Sequence, residues 1–291
     1  MTNLVSRRDL LKWTAAAAAT AMARPGALFS QDKKRIPVGL QLYSVRDALG
    51  KDFEGTLKKV AEMGFEGVEF AGNFGGKDAA TLKKILDDLG LKAAGTHIGA
   101  KSFEGDQLKK TVDFYKTIGC KLLIVPGDGR FTDPEKSKEF AEFMNKTAEA
   151  LKPEGLLTGY HNHDAEFRKK DGDKTYWDLF GERTNKDVVL QQDMGHTMWA
   201  GADPTAVVKK WAGRIKTTHI KNRPPKASGK KPFVGEDNFD WKAYASACYE
   251  VGGTEWFTLE QEEYPDGKSS MECTKISLDG FKAVLKELGK S

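Results

Sequence analysis

Cysteine is scarce in this chain of 291 residues. Its three cysteines, Cys120, Cys248 and Cys273, are odd in number, and none of them lies in a Cys-x-x-Cys spacing. A chain of this length can fold on its hydrophobic core alone. The sequence therefore predicts neither a disulfide framework nor a metal site built on thiolates, and it leaves a single disulfide bridge open.

Long hydrophobic runs and an excess of one charge are also missing. After the first 23 residues, no apolar run approaches the roughly 18 residues that a membrane-spanning helix needs. Lysine and arginine together number 46, aspartate and glutamate 42, and the net charge is +4. A balance this close to neutrality argues against binding of nucleic acid or of an anionic membrane surface.

The N-terminal segment is typical of an export signal. The stretch SRRDLLK carries Arg7 and Arg8 as a pair, and the alanine-rich run WTAAAAATAMA follows it and ends in an A-x-A pattern. A basic start, a short apolar run and such an end describe a cleavable signal peptide. Because the arginine pair resembles the twin-arginine translocation motif, we expect export to the periplasm or the exterior. The chain is predicted to consist of a signal peptide, a linker and one barrel domain: residues 1–23, 24–35 and 36–291.

Strand-type and helix-type segments alternate along the rest of the chain. Eight short apolar runs are typical of buried strands: residues 36–44, 67–72, 91–99, 121–127, 156–163, 187–195, 216–221 and 256–262. Between them apolar residues recur at helical spacing, as at Phe53, Leu57, Val60 and Ala61. Eight such units favour parallel pairing and most simply close into a (β/α)8 TIM barrel. A doubly wound open sheet is the alternative, but no glycine-rich phosphate loop follows the first strand.

Turn-forming residues mark the ends of the helical segments. Left-handed helix caps are predicted at five glycines: Gly64, Gly90, Gly119, Gly155 and Gly252. Two Asp-Pro pairs indicate helix starts with a capping aspartate: Asp133-Pro134 and Asp203-Pro204. The glycine- and lysine-rich run of residues 224–238 is interpreted as an insertion after the seventh strand.

Polar side chains gather at the C-terminal ends of the predicted strands, where a TIM barrel carries its active site. All five histidines of the chain lie there: His97, His161, His163, His196 and His219. A structural role explains one such histidine easily, but it does not explain five. These strand ends are therefore expected to form the walls of one shared site.

Carboxylates among these histidines indicate a metal site. Asp193, His219 and Glu260 come from three successive strands and are the predicted ligands, and His161, from the strand before, is the predicted fourth. Imidazole and carboxylate ligands suit Mn²⁺, Zn²⁺, Co²⁺ or Fe²⁺. Glu260 follows the apolar run FTL, which disfavours the alternative of a solvent-exposed acidic strand end.

Seven phrases resemble the xylose-isomerase-like barrel family, known as sugar phosphate isomerases/epimerases: VGLQLYSVRD, GFEGVEF, YHNHDAEF, QDMGH, THIKN, VGEDNFDW and TLEQEEY. They cover essentially the whole mature chain in order. The resemblance implies one divalent metal ion, often Mn²⁺, and proton abstraction beside the carbonyl of a ketose or keto-sugar. By motif position it implies that Asp193, His219 and Glu260 hold the metal and that His196 contacts the substrate.

One position departs from the family pattern. Epimerases of the family usually have a glutamate on strand five, opposed to the strand-eight glutamate as a second acid/base group, and this chain has His161 there. His163, two residues on, becomes the better acid/base candidate, because histidine side chains titrate near neutrality. Glu166, His196 and Lys221 complete the candidate catalytic set, although Glu166 is open between a substrate contact and a plain loop charge. Five further residues are expected to contact the substrate: Gln41, Tyr43, Glu69, His97 and Glu262.

These features predict a metal-dependent sugar isomerase or epimerase. The alternative is a lyase that eliminates a leaving group from a 3-keto-glycoside or keto-sugar, since both reactions begin with proton abstraction beside a carbonyl. Export favours a small-molecule substrate without phosphate, because sugar phosphates are mainly cytoplasmic. Near-neutral charge and the export signal disfavour a DNA-repair endonuclease on the same barrel. An exported sugar-binding protein without catalysis is left open, as is a homo-oligomer.

The arginine pair allows a direct test of export. Replacing Arg7 and Arg8 together by lysine keeps the charge but removes the pair that the translocation receptor reads as an address. We expect this double variant to stay in the cytoplasm, as measured by cell fractionation. A Lys12→Arg control should be exported like the wild type. Export of the double variant at the wild-type level would contradict the twin-arginine assignment.

Overall fold

Eight parallel strands pair in sequence order and close into a barrel in which the last strand pairs with the first. The computed structural model describes residues 35–224 and 228–290. The strands are β1 (Val38–Gln41), β2 (Gly67–Phe70), β3 (Lys92–His97), β4 (Leu122–Val125), β5 (Leu157–His161), β6 (Val189–Asp193), β7 (Thr217–Ile220) and β8 (Trp256–Leu259). Each strand lies inside one predicted run. The predicted TIM barrel is confirmed, and the open sheet is excluded.

Helices follow the strands. They are α1 (Arg46–Leu49), α2 (Phe53–Glu62), α3 (Ala79–Asp88), α4 (Asp106–Ile118), α5 (Ser137–Leu151), α6 (Ala165–Arg168), α7 (Tyr176–Arg183), α8 (Met194–Trp199), α9 (Pro204–Lys210), α10 (Trp241–Ala247) and α11 (Ser270–Glu287). Short 3-10 helices span Leu42–Val45, Ala100–Phe103 and Lys152–Glu154, and a small antiparallel pair joins Lys170–Asp171 to Lys174–Thr175. The predicted signal peptide and all but the last residue of the predicted linker lie outside the described residues.

Helix α2 shows how the sequence determines these elements. Phe53, Leu57 and Val60 recur at helical spacing, and all three side chains are buried against the core. Asp52 caps the helix, because its carboxylate accepts a hydrogen bond from the Gly55 backbone N–H. A capping carboxylate satisfies one of the free N–H groups at the helix start, so the apolar stripe and the cap together fix where α2 begins and which face it buries.

Most of the predicted helix ends are confirmed. Asp203 caps α9 through the Thr205 backbone N–H, and Pro204 is its first residue. Four of the five predicted glycine caps have a positive φ: Gly64, Gly90, Gly119 and Gly155.

Two predicted helix ends are wrong. The left-handed residue after α10 is Gly253, because a π-turn at Cys248–Gly252 adds one residue to the helix end and keeps Gly252 inside it. Asp133 does not start a helix, since its carboxylate accepts two backbone N–H groups in a turn. Helix α5 begins only at Ser137.

The inner face of the barrel changes from apolar to polar along the strands. On β6 the alternate residues Val189, Gln191 and Asp193 share one face, since successive side chains of a strand point to opposite sides. Val189 packs in an apolar cluster with Leu122 and Ile124, whereas Gln191 bonds to a buried carboxylate from another strand. The N-terminal end of the barrel interior is therefore apolar, and the polar residues of the site lie towards the C-terminal ends of the strands.

The cysteines and the helices bear on two expectations from the sequence. The three cysteines are free and buried, so the disulfide that the sequence leaves open is not formed. Within the described ranges, no helix combines the length and the apolar character that crossing a membrane requires.

A close approach of β5 to β6 generates a stability prediction. A β-carbon on Gly159 would lie 2.1 Å from the carbonyl oxygen of Val189. We expect Gly159→Ala to lower the free energy of unfolding by about 1–3 kcal/mol, the usual cost of overpacking, as measured by chemical denaturation. The control is Gly129→Ala, because the β-carbon there would meet no atom within 4 Å. Equal stability of the two variants would contradict the close approach.

Candidate active site

The structure brings all five histidines of the chain together at the C-terminal end of the barrel. Neighbouring ring centroids lie 4.7 Å apart for His97 and His161, 4.5 Å for His161 and His219, and 5.0 Å for His161 and His163. His163 and His196 continue the chain of rings at 4.7 Å. Three of the rings belong to strands β3, β5 and β7, His163 follows β5, and His196 lies in α8.

Three side chains next to these rings form a candidate metal-binding group. Asp193, His219 and Glu260 are buried, and each offers a ligand atom within 4.8 Å of the others. His219 Nδ1 lies 3.0 Å from Glu260 Oε2 and 3.8 Å from Asp193 Oδ2. Asp193 Oδ1 accepts the His196 backbone N–H, but Oδ2 has no hydrogen-bond partner among the described residues. A buried carboxylate oxygen without a hydrogen bond fits a bound cation.

The neighbouring His161 is a neutral ring with one free nitrogen. Its Nδ1 lies 3.0 Å from Gln191 Oε1, and Gln191 Nε2 donates to Glu69 Oε2 at 2.7 Å. Because an ionised carboxylate only accepts, the Gln191 amide must point its NH2 group at Glu69 and its oxygen at His161. His161 therefore carries its proton on Nδ1. Burial, followed by the charge of His219, lowers its pKa well below the ordinary value, so Nε2 keeps a free lone pair.

His219 is held from below by a buried carboxylate. Glu69 Oε1 accepts from His219 Nε2 at 2.6 Å and from Gln41 Nε2 at 2.7 Å. Burial lowers the pKa of His219, but the carboxylates of Glu260 and Glu69 outweigh it and raise the pKa to about 10. In the absence of a cation, His219 Nδ1 therefore donates to Glu260. A metal ligated by Nδ1 would replace this proton, and Glu69 would orient the ring for it.

A second group of possible ligands fits a metal less well. His97, His161 and His219 also have ligand atoms within 4.8 Å of one another. One nitrogen of each ring is already hydrogen-bonded, His97 and His161 to Gln191 and His219 to Glu69. This group holds no carboxylate and offers a divalent cation no negative charge. The group of Asp193, His219 and Glu260 offers two, in a donor set that suits Mn²⁺, Zn²⁺ or Co²⁺.

Lys221 places a permanent cation beside the same carboxylates. Its Nζ lies 3.4 Å from Asp193 Oδ2 and 3.1 Å from Glu260 Oε2, and it also pairs with Glu262. Burial lowers the pKa of Lys221, but these carboxylates outweigh burial and raise it above the ordinary value. The ammonium group therefore stays charged, next to the position where a substrate oxygen would meet the metal-binding group.

His196 is a neutral donor. Arg223 Nη1 lies 2.8 Å from His196 Nδ1 and donates to it, whereas the Lys221 ammonium group lies farther away, 3.4 Å from Nε2. The shorter contact favours a ring proton on Nε2. Burial and then the charge of Lys221 lower the pKa of His196 to about 3, so the ring stays neutral. Sequence reasoning missed Arg223, which has no motif signal of its own.

A cavity of about 370 Å³ opens above these groups. Eight of the predicted site residues line it: Tyr43, His97, His161, His163, His196, Lys221, Glu260 and Glu262. Asp193 and His219 are fully buried next to it.

Besides Asp193 and His219, three predicted residues do not line the cavity. Gln41 and Glu69 are fully buried and bond to each other below His219, so they position ligands and do not reach the cavity. Glu166 accepts hydrogen bonds from the Tyr160 hydroxyl and from the His163 backbone N–H. Its carboxylate therefore fixes the loop that carries His163 and is not aimed at a substrate.

Comparisons with known proteins agree with this geometry. The model of the xylose isomerase-like TIM barrel family matches residues 57–283. The model of the twin-arginine translocation pathway signal sequence matches residues 4–23, which indicates export by that route.

Individual relatives belong to two activity classes. An inosose dehydratase of Clostridium botulinum is 25% identical over 84% of this chain and 95% of its own length. One of Lacticaseibacillus casei is 26% identical over 75% of this chain and 85% of its own length. The crystal structure of a sugar phosphate isomerase/epimerase from Parabacteroides distasonis is 26% identical, with a TM-score of 0.71, and the match covers 84% of this chain and 96% of that one.

The amide of Gln191 generates a prediction on metal affinity. Gln191→Met removes the groups that fix the proton of His161 and that bond to Glu69. We expect metal affinity to fall roughly 10–100-fold, as for other partners of metal ligands, measured by calorimetric titration with Mn²⁺. The control is Gln192→Met, because Gln192 is equally buried but bonds to Tyr244 on the other face of β6. Equal Mn²⁺ affinity of the two variants would contradict a role of Gln191 in metal binding.

Proposed function

The chain belongs to the xylose isomerase-like TIM barrel family, and we propose that it is a metal-dependent lyase for a non-phosphorylated sugar or cyclic polyol that carries a ketone. In the proposed reaction a proton leaves the carbon beside the carbonyl, and a leaving group departs from the next carbon. The family match and the buried metal-binding group support an enzyme of the sugar isomerase, epimerase and dehydratase type.

The observation that carries the proposal is the pair of imidazoles, His163 and His196, in a cavity whose strand-five position holds no glutamate. His163 and His196 lie side by side, with ring centroids 4.7 Å apart, and both line the cavity. The strand-five position, where family epimerases have an opposed glutamate, holds His161, whose Nδ1 is fixed by Gln191. Inversion of a carbon needs a group on each face, whereas elimination can proceed with a base on one face.

The side chains take distinct roles in this reaction. We assign proton abstraction to His163, because its ring lies in the cavity and Glu166 holds its backbone. His196 donates through Nε2–H, and Lys221 donates through its ammonium group, to the substrate oxygens. These two donors stabilise the negative charge that develops on the carbonyl oxygen when the proton leaves.

The metal-binding group complements these donors. Asp193, His219, Glu260 and His161 would hold one divalent cation, with Mn²⁺ as first choice and Zn²⁺ or Co²⁺ as alternatives. When bound, such a cation supplies Lewis-acid polarisation of the substrate carbonyl. Asp193 Oδ2, which accepts no hydrogen bond, and the free Nε2 of His161 support this ligand set.

The charges around the cavity support a substrate without phosphate. Among the described residues that line the cavity, Lys221 is the one lysine or arginine, and it is already paired with Glu260 and Glu262. A phosphate group would meet carboxylates there instead of free cations. The match to an export signal points the same way, because sugar phosphates are mainly cytoplasmic.

Isomerisation is the second candidate function. A single base on one face can also move a proton between neighbouring carbons, which is how a ketose and an aldose interconvert. The similarity to the sugar phosphate isomerase/epimerase structure favours this candidate. The similarity to two inosose dehydratases over most of their length favours elimination, which we therefore place first.

The proposed chemistry is tested by substrate screening with site variants. Mature protein loaded with Mn²⁺ is incubated with ketoses, inososes and 3-keto-glycosides, and the unsaturated ketone formed by elimination is followed by its ultraviolet absorbance. We expect His163→Ala to reduce turnover by roughly 10²–10⁴-fold while metal binding persists, because one acid/base group is lost. His161→Ala should instead weaken metal binding.

The matched control is Glu263→Gln, because Glu263 is exposed and adjoins Glu262 without lining the cavity. It should keep both turnover and metal. Deuterium exchange beside the carbonyl at the wild-type rate in His163→Ala would show that another group is the base. Formation of an isomer without an unsaturated ketone would favour the second candidate.

A further inference from the structure

A second cavity of about 560 Å³ lies beside the first. Its apolar walls are Met198, Trp199, Pro224 and Phe239, and its cationic residues include Arg223 and Lys230. We propose that this Trp199 cavity binds the leaving group of the substrate and that this leaving group is aromatic. The proposal rests on the elimination chemistry proposed above and specifies its substrate class.

Arg223 connects the two cavities. Its Nη1 donates to His196 Nδ1 at 2.8 Å, and its Cζ lies 4.7 Å from the centroid of the Trp199 ring. His196 lines the reaction cavity, whereas Arg223 and Trp199 line the second one. His196 and Trp199 also lie three residues apart in α8, nearly one helical turn. A substrate anchored at His196 can therefore extend across Arg223 towards Trp199.

A hydrogen bond from Arg168 to the backbone of Trp199 holds this residue in place. Arg168 Nη2 donates to the Trp199 carbonyl oxygen at 2.7 Å, and Arg168 Nε lies 3.2 Å from Asp164 Oδ2. Asp164 follows His163 directly in the chain. The indole wall of the second cavity is thus tied to the loop that carries the proposed base, which keeps the two parts of the substrate site in fixed relation.

The chemistry of the walls favours an aromatic ring over a second sugar. Sugar hydroxyls placed against Met198, Pro224 and Phe239 would find no hydrogen-bond partner on those side chains, and the polar partners Ser228 and Asn238 lie elsewhere in the lining. An aromatic ring gains contact area against the same side chains and against Trp199. The one acidic residue of the lining, Asp237, already accepts from the Trp241 indole N–H at 2.7 Å. The remaining charges are positive and suit an oxygen that becomes negative.

The elimination step then balances as follows. His163 removes the proton from the carbon beside the ketone, and the electron pair of that C–H bond forms the new carbon–carbon double bond. The bond from the next carbon to the aryl oxygen breaks, and its electron pair leaves with the oxygen as a phenolate. Arg223 stabilises this negative charge, and water protonates the phenolate while His163 returns its proton to water. The products are one phenol and one unsaturated keto-sugar.

Ligand binding without turnover tests the cavity separately from the reaction. The probes are phenyl and methyl β-D-glucopyranoside, which lack a ketone and differ only in the aglycone, titrated calorimetrically into mature protein loaded with Mn²⁺. We expect the phenyl glycoside to bind roughly tenfold more tightly, the gain typical of one well-packed aromatic contact. Trp199→Ala should abolish this preference and leave the affinity for the methyl glycoside unchanged.

Two further variants test whether the preference for the phenyl glycoside depends on this cavity. Phe239→Ala removes another wall of the same cavity and should reduce the same preference. Trp211→Ala is the matched control, because Trp211 is also half-buried but precedes β7 at the opposite end of the barrel. It should keep the preference. Thermal denaturation of each variant verifies that it is folded.

Three outcomes would overturn the proposal. These are equal binding of the two glycosides by the wild type, an unchanged preference in both folded Trp199→Ala and folded Phe239→Ala, or tighter binding of cellobiose than of the phenyl glycoside. A phenyl preference that depends on Trp199, without elimination of phenol from the corresponding 3-keto-glycoside, would uphold the cavity and refute the proposed reaction.

Discussion

The buried carboxylate of Glu69 is the contact on which the rest of the site depends. It accepts from Gln41, Gln191 and His219, and His97 Nε2 lies 3.3 Å away. It thus ties β2 to strands β1, β3, β6 and β7, and a carboxylate this deep is tolerable only with such partners. Burial raises its pKa, but the neighbouring histidines His97 and His219 outweigh burial and lower it. One ionised group therefore fixes the proton of His219 directly and, through Gln191, that of His161.

Buried acids and buried cations balance one another around the candidate metal-binding group. Glu69, Asp193 and Glu260 are buried acids, and Lys221 and protonated His219 are buried cations beside them. Burial raises the pKa of Asp193 in spite of Lys221, whereas Lys221 and His219 overcome burial and lower that of Glu260. A divalent cation would displace the His219 proton and add positive charge beside Asp193 Oδ2, which accepts no hydrogen bond although the Lys221 ammonium group lies 3.4 Å away. A metal would therefore enter a group whose buried charges Lys221 and His219 already balance in part.

The sequence predicts the barrel well because the same unit, a strand-type run followed by a helix-type segment, occurs eight times. Within a strand, the two-residue period of side-chain direction predicts which residues face the inside of the barrel. The sequence also brings the ligand group together, since Asp193, His219 and Glu260 end successive strands. Depth along the strand is harder to predict. The two-residue period places Glu69 inside the barrel but does not show that it ends below the cavity. Gln191 lies on the same face as Asp193, but a neutral amide in a strand does not by itself indicate a functional site. Its role follows only from its hydrogen bonds to His161 and Glu69.

Different parts of the barrel supply the buried charged groups and the walls of the second cavity. The proposed ligands and their supports lie in the strands or directly after them, whereas the apolar walls of the Trp199 cavity come from α8 and from Pro224 and Phe239, which follow β7. Loop residues can change without disturbing the buried charges, which is the general reason why one barrel supports many substrates. Arg223 is the exception, because it contacts both His196 and Trp199. A change at Arg223 would therefore affect the reaction and the leaving-group cavity together, and this coupling separates Arg223 from Pro224 and Phe239, which line only the second cavity.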